Sequence, residues 1–126
     1  MNTVALKTQK TTEDVVTRFG RILDSSFNEI FIFDAETMKF LQVNLGARKN
    51  IGYSMEELSQ MTAVEFKPEF GEKKFMTLVD PLIKNEKEMV LFETVHRRKD
   101  GTLYPVEIRL QLMRNEDPPI YVAIVQ

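Results

Sequence analysis

The sequence predicts an α+β domain centred on a β-sheet, and three observations carry that prediction. Tyr104, Val106, Ile108, Leu110 and Leu112 alternate with Pro105, Glu107, Arg109 and Gln111. A period of two with one apolar side is the pattern of a strand whose inner face rests on a core. Asp100-Gly101 stands just before that run and supplies a chain reversal, because Gly accepts positive φ without a Cβ clash. Along the whole chain the apolar patterns fall in the order helix, two strands, helices, three strands, without an internal repeat.

Residues 1–10 are polar and unpatterned and are expected to be flexible. Thr11-Thr12-Glu13-Asp14 reads as a helix start, a hydroxyl cap followed by acids near the positive end of the dipole. Val15, Val16, Phe19, Ile22 and Leu23 follow at helical spacing and form one apolar stripe on a helix spanning residues 11–26. That stripe packs either on its own domain or against a second copy. Ile30-Phe31-Ile32-Phe33 is apolar on both faces, which predicts a central strand covered on both sides. Asp34 to Thr37 is a turn into a second strand, Lys39 to Asn44, with Leu41 and Val43 on one face.

A short helix is expected from Leu45 to Ile51, stopped by Gly52, and a capping box at Ser54 to Glu57 opens another through about Met61. A longer helix begins near Glu69 and carries Phe75, Leu78, Val79, Leu82 and Ile83 on one side. Pro81 should kink or end it, lacking an N–H for the bond to residue 77. The hairpin and a last strand from Ile120 to Gln126 complete the order.

The hairpin has two registers. A two-residue Asp-Gly loop puts Leu91, Glu93 and Val95 inward; a three-residue loop, Lys99-Asp100-Gly101, puts Val90, Phe92, Thr94 and His96 inward. The first buries a mid-strand carboxylate without an evident partner, so the second is preferred. In it Glu93 and Glu107 oppose each other on the outer face, where they are expected to rest near Arg109 as a solvated ladder. That face also carries Met89, Leu91, Val95, Leu103 and Met113, more apolar area than is usually left in water. Its candidate covers are the N-terminal stripe or a second subunit in a two-fold dimer.

At 126 residues, with 43% hydrophobic and 29% charged residues, the chain has the length and composition of one soluble globular domain. No apolar run is long enough to span a bilayer, so direct membrane insertion is not expected. A net charge of −2 leaves no broad basic footprint for nucleic acid. The absence of Cys removes disulfides and thiolate chemistry and suits a cytoplasmic setting. No catalytic triad, Gly-rich phosphate loop or metal-ligand spacing appears, so no catalysis by this chain is expected. Glu56 and Glu57 diverge on their helix. Arg97-Arg98-Lys99 and Arg48-Lys49 read as solvated charge runs, and His96, the lone histidine, as a partly exposed structural residue near the hairpin tip.

Three motifs in order resemble those of PAS domains, the sensory modules of many bacterial signalling proteins. They are Asn44 at the end of the second strand, Gly52-Tyr53-Ser54-Met55-Glu56-Glu57-Leu58, and Arg97-Arg98-Lys99-Asp100-Gly101-Thr102. The resemblance covers about Ile22 to Gln126, with residues 27–126 taken as the domain. It implies a five-stranded antiparallel sheet with helices over one face, preceded here by the N-terminal amphipathic helix, and a ligand pocket between sheet and helices. Carried over to this chain, the pocket positions are Phe75, Leu78, Phe92, Thr94, Val106, Ile108, Tyr121 and Ala123; the alternative is that these residues are plain core with no cavity. Dimer or helix packing is expected at Val15, Val16, Phe19, Ile22, Leu23, Leu91 and Val95. Haem is disfavoured, since relatives take the iron ligand from the long helix and residues 69–87 hold no His. Covalent flavin is excluded without Cys, and no cofactor is expected.

The apolar last strand without a polar tail suggests a fragment of a longer protein. By the resemblance, this is a bacterial sensor histidine kinase or diguanylate cyclase. Expected partners are a second copy, the C-terminal output domain and an unidentified small molecule. The other functional readings are a structural dimerisation domain with a filled core and a small α+β enzyme that shares the pattern.

Overall fold

The computed structural model describes residue 15 and residues 17–126. The expected flexible stretch 1–10, the helix start at Thr11 to Asp14, and Val16 lie outside the described residues. A helix, α1, occupies 17–25, with residue 15 also helical. Two strands follow, β1 (Glu29–Asp34) and β2 (Phe40–Val43), then helices α2 (Leu45–Ile51), α3 (Met55–Leu58) and α4 (Glu72–Ile83). Strands β3 (Val90–Arg97), β4 (Leu103–Met113) and β5 (Ile120–Val125) close the order. The five strands form one sheet, β2-β1-β5-β4-β3, antiparallel at every junction.

The hairpin takes the three-residue loop. The Arg98 N–H donates to the Thr102 carbonyl at 2.8 Å, the Gly101 N–H donates to the Arg98 carbonyl at 2.9 Å, and Gly101 sits at φ 93°. Asp100 Oδ1 accepts from both the N–H and the hydroxyl of Thr102, at 2.9 and 2.7 Å, which stiffens the turn. Thr94 then pairs with Val106 and His96 with Tyr104. Val90, Thr94 and His96 are buried and Phe92 half-buried, while Leu91 and Glu93 are exposed. Glu93 does face Glu107, but among the described residues neither is ion-paired to Arg109.

Two strand expectations need correction. Phe31 and Phe33 are buried but Ile30 and Ile32 only half-buried, so β1 is central in the sheet without being closed over on its outer side. On β2 the register shifts between Ile32 and Phe33, leaving Leu41 unpaired as a bulge residue. Phe40 and Val43 both turn inward as a result, and Leu41 is exposed. The longer helix starts at Glu72, behind Gly71, and ends two residues after Pro81. It buries Phe75, Val79 and Leu82, with Leu78 half-buried and Ile83 exposed.

Between α3 and α4, residues 59–71 form a turn-rich strap that spans the sheet from edge to edge. On the β2 side the Phe40 N–H donates to the Met61 carbonyl and the Ala63 N–H to the Met38 carbonyl. On the β3 side the Arg97 N–H donates to the Phe66 carbonyl at 2.9 Å. Both outer strands thus satisfy part of their free edge, the backbone groups a sheet otherwise offers to other chains.

Asn44 joins the N-terminal helix to this framework and is fully buried. Its Oδ1 accepts from the N–H groups of Ile30 (3.0 Å) and Ala47 (3.3 Å), the second being the N-cap of α2. Its Nδ2 donates to the carbonyls of Leu23 (2.8 Å) and Asn28 (2.9 Å). Asn44→Ala would orphan four buried or half-buried backbone groups. Urea titration should show a loss of about 2–4 kcal/mol, beyond the roughly 1 kcal/mol of a simple cap; a loss under about 1 kcal/mol would mean that water replaces these bonds.

Candidate functional site

The inner sheet face and the strap enclose an aromatic cluster. Phe31, Phe33 and Phe40 come from β1 and β2, Phe66 from the strap, and Phe75 from α4. Ring centroids lie 5.7 Å apart for Phe31–Phe40, 5.4 Å for the stacked Phe40–Phe66 pair and 6.1 Å for Phe33–Phe75. These are the offset and edge-on spacings that aromatic quadrupoles favour. Within the cluster is an enclosed cavity of about 10 Å³, room for about one water. Its wall includes Phe31, Phe33, Phe40, Phe75, Phe92, Ile108 and Ala123, and two basic side chains, Lys67 and His96.

Lys67 enters from the strap and is 8% exposed. Its Nζ donates to the Ala63 carbonyl at 2.8 Å and lies 4.7 Å from the Phe66 ring centroid. No ion pair among the described residues includes it. Burial without a counter-ion disfavours the charged form and lowers its pKa to about 7.

His96 enters from β3, lines the cavity and is 1% exposed, which corrects the expectation of a partly exposed residue near the hairpin tip. Its ring meets Phe66 and Tyr104 edge-on, at 5.0 and 5.7 Å. Nδ1 faces the Tyr104 hydroxyl at 3.5 Å, and Nε2 has no partner. Burial first, and the nearby Lys67 charge second, hold the imidazole far below its ordinary pKa. Both causes favour the neutral imidazole.

Behind Tyr104 a run of polar contacts leads from Arg98 to Glu29, whose Oε1 is buried without a partner. The Arg98 guanidinium covers the Tyr104 ring at 4.2 Å and donates to the Asn50 carbonyl and side-chain oxygens. Asn50 Nδ2 in turn donates to Glu29 Oε2 at 2.8 Å. Burial raises the Glu29 carboxyl, partly offset by Asn50 and Arg98. Arg98 is thus no solvated turn residue: it locks the hairpin onto the end of α2. Lys99 bridges to Glu57 at 2.7 Å, and Glu57 also completes the Ser54 capping box.

Of the expected pocket positions, Phe75, Phe92, Ile108 and Ala123 meet at the cavity. Tyr121 stacks on Phe33 at 5.1 Å, and Leu78 packs half-buried on the core; neither lines the cavity. Thr94 and Val106 instead border an open groove of about 450 Å³ shared with Glu69, Glu93 and Glu107. The Thr94 hydroxyl is buried and unpartnered.

Val15, Phe19 and Ile22 are exposed and Leu23 half-buried, so the described part of the stripe is not sealed against its own sheet. On the outer sheet face Leu91 is exposed and Val95 half-buried. Among the described residues no cluster of three His, Asp or Glu side chains could hold a metal ion, and no helix is long and apolar enough to cross a membrane.

A family model described as a PAS domain matches residues 28–126. Solved structures share the fold. The PAS domain of an HTR-like protein from Haloarcula marismortui superposes with TM-score 0.81 at 23% identity, covering 95% of this chain and 97% of that one. A PAS domain from a two-component sensor histidine kinase gives TM-score 0.74 at 18% identity, covering 91% and 97%. A domain of a sensory box sensor histidine kinase/response regulator from Geobacter sulfurreducens gives TM-score 0.70 at 19% identity, covering 86% and 91%. No curated protein is significantly similar to the chain.

The buried ammonium has a pH signature. In the unfolded chain Lys67 keeps its proton up to the ordinary lysine value of about 10.4, whereas in the fold it releases it near 7. The unfolded state binds more protons in that window, so this group makes stability rise with pH, by up to about 1.4 kcal/mol per unit. Lys67→Met should flatten the rise and stabilise the domain at neutral pH by about 1–4 kcal/mol. Urea titrations between pH 7 and 10 check this; identical slopes for both proteins would place the ammonium in water.

Proposed function

The chain belongs to the PAS domain family, and from that premise we propose that it is a non-catalytic sensory and interaction module of a signal-transduction protein. It binds a small ligand and relays a change of conformation to an output domain. One observation carries the reading: an aromatic cavity is lined by two buried bases, Lys67 and His96, with no acid among the described residues paired to them. A core that only supports a scaffold gains nothing from such groups, because a buried cation and an unpaired ring nitrogen both cost stability.

The strap 59–71 is the element a ligand would move, since it carries Phe66 and Lys67 and is tied to the sheet edges by few backbone bonds, two on the β2 side and one on the β3 side. A ligand that binds one position of the strap better shifts the equilibrium toward it. Movement at the β3 edge would be felt on the outer face at Leu91 and Val95. We place a second copy of the chain there and on the described part of the α1 stripe, at Val15, Phe19, Ile22 and Leu23. A histidine kinase output is supported by the two kinase-derived structural neighbours; a diguanylate cyclase output rests on the family resemblance alone. No cofactor enters the proposal, because a space of about 10 Å³ takes neither a haem nor a flavin ring.

The same small volume favours a second reading, a structural dimerisation domain with a filled core. A fragment screen by ¹H–¹⁵N correlation NMR separates the two. The sensory reading predicts saturable shifts at the amides of Lys67, His96 and Ile108 for a subset of small polar fragments. A silent screen, with native mass spectrometry finding no retained compound, would leave the scaffold. Independently, Phe19→Glu with Leu91→Glu should weaken self-association by at least about tenfold in sedimentation equilibrium; an unchanged constant would put the interface elsewhere.

A further inference from the structure

The chemistry of the cavity narrows its ligand, given the reading of that cavity as a ligand site. Lys67 is a buried cation whose ammonium has three N–H groups, of which one is taken by the Ala63 carbonyl. The ion pairs among the described residues are Arg48–Asp24, Lys84–Asp80 and Lys99–Glu57, so no carboxylate among those residues answers it. His96 presents Nε2 without a partner in the same enclosed wall. Where Nδ1 accepts from the Tyr104 hydroxyl, the neutral ring carries its hydrogen on Nε2. Two residues with donor capacity to spare, one of them a lysine, therefore line one largely apolar space.

We propose that this cavity is a receptor for a short-chain monocarboxylate, held between the Lys67 ammonium and the His96 Nε2–H. A carboxylate has two acceptor oxygens and one negative charge, which satisfies both donors and neutralises the buried cation. The remaining wall, chiefly Phe31, Phe75, Ile108 and Ala123, is apolar. It suits a hydrocarbon tail and penalises a second carboxylate, which would be buried unpaired. The volume sets the size. The space of about 10 Å³ holds about one water, so on this proposal the strap must move outward to admit the acid, and a short chain demands the least movement.

Propionate against propionamide is the direct probe, because the two match in shape and differ in charge. In ¹H–¹⁵N NMR titrations of the whole chain at constant ionic strength, propionate should shift the Lys67, His96 and Ile108 amides saturably. Its Kd should be at least tenfold below that of propionamide. Lys67→Met should weaken propionate at least tenfold and leave propionamide unchanged, whereas Lys67→Arg, which keeps the charge, should retain part of the preference. Equal binding of acid and amide would overturn the carboxylate assignment while leaving the cavity a ligand site. Binding of neither would overturn it as well, and together with a silent fragment screen would remove the sensory reading too.

Discussion

The register of the β3–β4 hairpin is the constraint from which the rest follows. Side chains alternate along a strand, so a slip of one residue exchanges every inner side chain for an outer one. With Gly101 at φ 93° and Arg98 paired to Thr102, Thr94 and His96 are held inside and Glu93 outside. The opposite register would bury Glu93 and turn His96 to water. A turn of three residues thus decides whether the core contains a carboxylate or an imidazole, and Arg98, anchored on Asn50 and Tyr104, holds that turn against α2.

The cavity sets local stability against the rest of the core. Its aromatic walls pack at ordinary distances, yet Lys67 and His96 contribute a buried cation and an orphan nitrogen. Sequences that specify one fold keep such conflicts few and concentrate them where function needs them. Here both lie at one place, under a strap joined to the two sheet edges by backbone bonds and lacking helix of its own. On the proposed function, a ligand that compensates the charge would act through the strap on the sheet edges.

Periodic elements were the legible part of the sequence. The alternation from Tyr104 to Leu112, the Gly101 turn, the Ser54 capping box and the stop at Gly52 each reflect a local rule, and all appear in the structure. The β2 bulge was hidden, because Leu41 and Val43 alternate well and only the pairing with β1 displaces Leu41. Lys67 left no signal at all: residues 59–71 have neither helical nor strand period, and a lysine beside a proline reads as surface. His96 was legible in principle, since the preferred register already aimed it inward; closeness to the hairpin tip outweighed that inference wrongly. The tip is covered here by Phe66 and Tyr104, contacts that no local pattern encodes.

Everything said of function depends on the Lys67 ammonium lying inside the apolar cavity. Its titration can be followed directly, through the side-chain ¹³Cε and ¹Hε signals of Lys67 assigned by comparison with Lys67→Arg. The structure predicts a midpoint near the value of about 7 that burial imposes. A midpoint at about 10.4, the ordinary value for a lysine in water, would contradict the account.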